Sequence, residues 1–115
     1  MTTHMRYIST RGGGAPLTFR EAVMTGLARD GGLLLPETIP DVRARLPDWR
    51  RLAYPDLACE ILRLYADLSE PVLRRLVAGS YAAFRHPEIT PVVPVGDHYV
   101  LELFHGPTLA FKDIA

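Results

Sequence analysis

The sequence predicts an α-rich α/β (α+β) domain, built mainly on three amphipathic helices, with short strands and a carboxy-terminal β-hairpin. Three observations predict it. Apolar residues recur at helical spacing in three windows, each with start or stop signals. Prolines at positions 36, 40, 47 and 55 exclude a long regular element between the first two windows. A β-branched stretch near the end contains Gly96-Asp97, a two-residue hairpin signal.

Taken in order, Met5 to Ser9 is a short β-prone run, and "TRGGGAP" after it is a loop by composition. Thr18 and Glu21 then form a T-x-x-E capping box that starts a helix over Thr18 to Arg29. Its stripe is Phe19, Ala22, Val23, Gly26 and Leu27, and Gly31 or Gly32 closes it. Leu33 to Leu35, between Gly32 and Pro36, reads as a small buried strand, and a short helix is allowed over Asp41 to Leu46. The second helix spans Asp56 to Leu68. The third, capped by Ser69, runs from Glu70 to Arg85 on a stripe of Leu73, Leu76, Val77, Ser80, Tyr81 and Phe84, and His86-Pro87 ends it. The three stripes are expected to pack together, with Leu27 and Leu76 on the core face and Arg20 off it. Val92 to Val95 and His98 to Phe104 are the hairpin strands.

At 115 residues the chain is one domain, or a domain with the beginning of another. Zero net charge gives no field that would steer it to nucleic acid or an anionic membrane. The first residues contain no apolar run of signal-peptide length, and no later stretch is long enough to span a bilayer. The single cysteine, Cys59, excludes an internal disulfide and fits a reducing cytoplasm. It is read as small core filler, and Glu60 and Asp67 as a solvated face. The four histidines lie in no metal-ligand spacing, so no metal site is expected.

Two stretches compete as sites. "STRGGGAP", within which Ser9 to Gly14 carries two hydroxyls, Arg11 and three glycines, precedes a helix and reads as a plain loop, with an anion nest as the alternative. Its glycines match neither dinucleotide nor P-loop spacing. The other stretch is "LFHGPTLAFKDIA". Of 13 basic residues twelve are arginines, and the one lysine is Lys112. A lysine forms a Schiff base only as the neutral amine, roughly one part in a thousand at pH 7 for a free side chain. Leu109, Phe111 and Ile114 are the apolar residues placed to desolvate it. Asp113 would oppose this as an ion partner, yet helical neighbours i and i+1 point apart.

"FHGPTLAFKD" (Phe104 to Asp113) resembles the cofactor-lysine segment of the threonine synthase family of pyridoxal-phosphate enzymes. "YISTRG" and "LARDGGLLLPE" (Leu27 to Glu37) resemble that family's amino-terminal domain, in the same order. The resemblance implies that residues 1–88 are a threonine-synthase-like amino-terminal domain. It implies that residues 89–115 begin a fold-type-II pyridoxal-phosphate domain, truncated here. Lys112 then carries the covalent aldimine with pyridoxal 5'-phosphate and is the catalytic residue, with His105 and Thr108 as possible pocket residues. The implied substrate is O-phospho-L-homoserine, the implied product L-threonine, and the implied partner the remainder of the catalytic domain. The fragment alone is expected to be inactive. Two alternatives are a helical interaction module without catalysis and a related β-eliminase such as a threonine or serine dehydratase. The latter tend to carry serine where this chain has Ala110.

Overall fold

The computed structural model describes residues 4–115; Met1, whose α-amine is the chain's other primary amine, lies outside them. Strand β1 (Tyr7–Ser9) pairs antiparallel with β2 (Leu34–Pro36), with Ile8 opposite Leu35. On its other edge Tyr7 exchanges backbone hydrogen bonds with Leu17, both 2.8 Å. Each strand is one or two residues shorter or shifted relative to the sequence expectation, and β2 is only half covered rather than buried.

Helix α1 (Phe19–Thr25) starts at the expected capping box. Glu21 accepts the Thr18 N–H at 2.8 Å and donates its own N–H to the Thr18 hydroxyl at 3.2 Å. The helix ends at Thr25, not Arg29, because Gly26 takes φ 74°. Beyond it the chain reverses: Leu27 pairs with Leu33 and the Ala28 N–H donates to the Gly32 carbonyl. Glycine 31 is therefore in a separate turn.

Three prolines sit in the first turns of helices, where a missing N–H costs nothing. Pro47 enters α2 (Leu46–Trp49), so the short helix lies C-terminal to the expected Asp41–Leu46, after a 3-10 turn at Arg43–Arg45. Pro55 enters α3 (Tyr54–Leu62) and Pro71 enters α4 (Glu70–Tyr81). Both end sooner than their stripes predict. The Tyr65 carbonyl accepts the Tyr7 hydroxyl at 2.8 Å, and the Arg85 N–H donates to the His105 carbonyl at 2.9 Å. Each bond removes a group that a longer helix would need. Ser69 occupies the N-cap position of α4, but its hydroxyl makes no capping bond.

The core is smaller than three packed helices. Cys59 on α3 packs with Leu73 and Val77 on α4, flanked by Ala58, Leu68 and Tyr81. Helix α1 contributes nothing to this cluster and lies on the β1 side, its Phe19 ring 6.0 Å from Tyr7. The core face of α4 is also rotated from expectation: Leu73 and Val77 are each 4% exposed, while Leu76 is 49% exposed. Leu27, beyond the end of α1 and expected on the core face, is 60% exposed. Burial pushes the Cys59 thiol up, which fits core filler and not a nucleophile. Arg63 pairs with Glu60 at 2.8 Å and His4 with Asp67 at 2.8 Å on the surface.

Strands β3 (Val92–Val95) and β4 (His98–Leu101) form the hairpin, turning at Gly96-Asp97 with Val95 opposite His98. The second strand ends at Leu101 instead of Phe104. Both strands leave large apolar side chains outside, among them Val92, Tyr99 and Leu101. The accessible surface is 8785 Å², against roughly 6,300 Å² for a monomer of this mass. The radius of gyration is 16.5 Å, against roughly 13 Å for a compact chain of this length. No helix among the described residues is long and apolar enough to cross a membrane.

Candidate functional site

The lysine lies on a one-turn 3-10 helix, Phe111–Ile114, reached through the Gly106-Pro107-Thr108 turn. This segment is fastened to α4 at two points. The Arg85 N–H donates to the His105 carbonyl, and the Tyr81 hydroxyl donates to the Ile114 carbonyl at 3.2 Å. Tyr81 is itself seated edge-on against Tyr54, centroids 5.0 Å apart, and against Phe84 at 5.3 Å. Burial, then the hydrogen bond with Tyr81, pushes the Tyr54 phenol up to about 12.

Within the turn, Asp113 folds back onto Thr108. The Thr108 hydroxyl donates to one carboxylate oxygen at 2.6 Å, and the Thr108 N–H donates to the other at 2.9 Å. Gly106 is required here, since a Cβ at that position would collide with the Cβ and carboxylate of Asp113. Leu109 takes φ 66°, a left-handed conformation that costs an L-residue about 1–2 kcal/mol. Such strain persists where surrounding bonds over-determine it, as the Thr108–Asp113 pair does.

Lys112 is solvent-exposed, and among the described residues its amine forms no salt bridge. Leu109 and Phe111, expected to desolvate it, are themselves exposed. Of the two possible pocket residues, Thr108 is committed to Asp113. His105 is half-buried, with Nε2 2.9 Å from the Glu102 carboxylate and its ring 4.8 Å from His86. The sequence gives no role to Glu102, places Tyr81 only on the stripe of the third helix, and offers Asp113 only as an ion partner of the lysine. The one local signal was a threonine five residues before an aspartate across a Gly-Pro turn.

The glycine loop is built around a carboxylate of its own chain. Asp30 accepts the Ser9 hydroxyl at 2.7 Å, the Gly32 N–H at 2.9 Å and the Gly13 N–H at 2.9 Å. The Ser9 hydroxyl, then the Gly32 and Gly13 N–H groups, hold its carboxyl below the usual carboxylate range. The Arg11 guanidinium reaches the Asp30 carbonyl at 2.8 Å. The Arg11, Gly12 and Gly13 N–H groups of the loop already have partners within the chain, the Ser9 hydroxyl, the Ser9 carbonyl and Asp30. A cleft of about 650 Å³ adjoins the loop, lined by Gly13, Gly14, Leu17, Ala28 and Asp30 among others. Among the described residues no group of three His, Cys, Asp or Glu is placed to hold a metal ion.

The family model described as threonine synthase N terminus matches residues 6–81. Threonine synthase of Schizosaccharomyces pombe is 45% identical over 120 residues, covering 100% of this chain and 23% of the relative. The crystal structure of PLP-bound threonine synthase from Brucella melitensis superposes with a TM-score of 0.90 at 41% identity, over 96% of this chain and 25% of that one. The yeast threonine synthase crystal structure gives 0.88 at 44% identity, over 95% and 24%. The chain thus spans about a quarter of the length of the relatives it matches.

Proposed function

The chain belongs to the threonine synthase family, and on that premise we propose that it forms the leading part of a pyridoxal-phosphate-dependent lyase. The enzyme converts O-phospho-L-homoserine and water to L-threonine and phosphate, the last step of threonine biosynthesis, in the cytoplasm. Residues 1–88 are its amino-terminal domain and 89–115 the beginning of its catalytic domain. The family match ending at residue 81, where α4 also ends, supports that division.

Lys112 is the covalent attachment point of the cofactor and the catalytic residue. The observation that carries this is the extent of the family match: the similarity to threonine synthases runs over the whole chain, so the one lysine and its Phe104–Asp113 motif lie inside it. Its amine is exposed and so accessible to a carbonyl group, and the desolvation that would neutralise it is assigned to the remainder of the catalytic domain. When bound, pyridoxal phosphate supplies an electron sink for carbanions on the substrate. The Lys112 amine, once free of its attachment, takes and returns protons at the substrate's α and β carbons. His105, held by Glu102, and Thr108 stand on the same segment and border the approach to it.

These residues fit the attachment and not the whole cradle. The glycine loop has the Ser9 hydroxyl and the Gly13 N–H on Asp30, so a phosphate there would compete with a carboxylate of the same chain. The phosphate and ring contacts are therefore assigned to the remainder of the catalytic domain. The excess surface and the outward apolar residues of the hairpin support a partner of that size. The test is turnover of O-phospho-L-homoserine by the full-length enzyme and its Lys112→Ala variant. Threonine and phosphate from the first, and neither from the second, are expected. A fully active Lys112→Ala variant overturns the assignment.

A further inference from the structure

Asp113 directly follows the lysine that the proposed function makes the cofactor attachment; helical neighbours start out pointing apart, yet a carboxylate with no other partner is free to rotate toward the long lysine side chain, and that works against the chemistry. An ion pair with Lys112 would favour the ammonium form, which has no lone pair to give. In the structure the carboxylate is turned the other way. Both its oxygens accept from Thr108, at 2.6 Å from the hydroxyl and 2.9 Å from the N–H, and it forms no salt bridge with the lysine. The backbone is shaped for this contact. Gly106 leaves the space that Asp113 fills, and Leu109 adopts its left-handed φ between the two partners.

We propose that Thr108 and Asp113 are positioning residues, a clamp that sequesters the Asp113 carboxylate and leaves the Lys112 amine unpaired for covalent chemistry. The clamp rests on the proposed role of Lys112. Other ionisable groups on the elements packed against this turn are committed elsewhere: Glu102 to His105, the Tyr81 hydroxyl to the Ile114 carbonyl, and His86 to the Glu88 N–H. Arg85, the remaining charge at the end of α4, binds the segment through its backbone N–H. Asp113 is thus the carboxylate next in sequence to the lysine and the one that the clamp must keep from it.

The test uses the full-length enzyme freed of cofactor and acylated at pH 8 with a trace of acetic anhydride. The Lys112 peptide is quantified by mass spectrometry. Thr108→Ala removes the hydroxyl bond, the shorter of the two, and leaves the carboxylate on the backbone N–H alone; the loosened carboxylate is expected to slow acylation of Lys112 by up to roughly tenfold, the effect of one pH unit in the amine's titration. Thr108→Ser keeps the hydroxyl and the wild-type rate. The double variant Thr108→Ala/Asp113→Asn has no charge to release and returns to near the wild-type rate. A merely structural contact would leave the double variant no faster than Thr108→Ala. That outcome, or a wild-type rate in Thr108→Ala, overturns the clamp. Lys112→Ala separates the two levels: if it still takes up cofactor with the wild-type visible absorption band, the proposed role of Lys112 fails. If the band is lost while Thr108→Ala acylates at the wild-type rate, the clamp alone fails.

Discussion

The Ser9 hydroxyl donates to the Asp30 carboxylate at 2.7 Å across 21 residues, so the glycine loop closes on an anion supplied by its own chain. Ser9 itself is buried beneath this contact. The loop has the donors of an anion nest, and Asp30 is the anion.

Asp30→Ala leaves those donors unpaired and is expected to lower the melting temperature at pH 7 by several degrees, with Asp30→Asn in between. The carboxyl titrates below its ordinary range in the folded chain. Its stabilisation is therefore present above the unfolded value, about 3.9, and is lost as pH falls through the lower folded one. Melting curves of wild type and Asp30→Ala should converge in acid. A gap that stays constant down to pH 2 would contradict the role given to the charge.

The rotated core face separates two leucines and an arginine. Leu73→Ala removes a side chain that is 4% exposed and is expected to cost about 2–5 kcal/mol. Leu27→Ala and Arg20→Ala, both on exposed positions of the chain, are expected within about 0.5 kcal/mol of wild type. Urea unfolding of the 115-residue chain compares them. Equal losses at Leu27 and Leu73 would restore the stripe read from periodicity.

Tyr54 makes stability sensitive to alkali. Its folded value of about 12 lies above the ordinary 10, so the folded state keeps a proton that the unfolded state has lost. The Tyr54 contribution to stability is full below pH 10 and is lost as pH rises toward 12. Tyr54→Phe should flatten that decline, read by thermal melts from pH 9 to 12. Absorbance at 295 nm should place Tyr54 late in the tyrosine titration. An unchanged alkaline slope in Tyr54→Phe would assign the loss elsewhere.

The cofactor chemistry predicts a contrast between the short chain and the whole enzyme. Specific reaction of an amine with an aldehyde cofactor requires phosphate and ring to be held first, which makes the encounter effectively intramolecular. With pyridoxal phosphate and borohydride, the full-length enzyme is expected to label stoichiometrically at Lys112. The 115 residues alone are expected to label weakly and without saturation at Lys112 and the Met1 α-amine alike, and to form no threonine. Saturable labelling of Lys112 in the short chain would place the phosphate site within these residues.

The sequence by itself determined the starts that local signals mark. The Thr18–Glu21 box, the prolines in the first turns of α3 and α4, and the Gly96-Asp97 turn act within four residues of one another. Local conformational preference and local hydrogen bonds are therefore enough to express them. The lone lysine and its motif were legible for the same reason. Only the tertiary structure decided where elements end and which edge of a stripe is buried. The Tyr65 carbonyl and the Arg85 N–H leave their helices for partners 58 and 20 positions away, Tyr7 and His105. A periodic stripe wide enough to include both Leu73 and Leu76 does not say which of them meets α3. The same holds at the site. Asp30 draws no reading from the sequence and Asp113 only that of an ion partner for Lys112, because the geometry that binds a carboxylate is made by chain reversal, and spacing alone does not encode it.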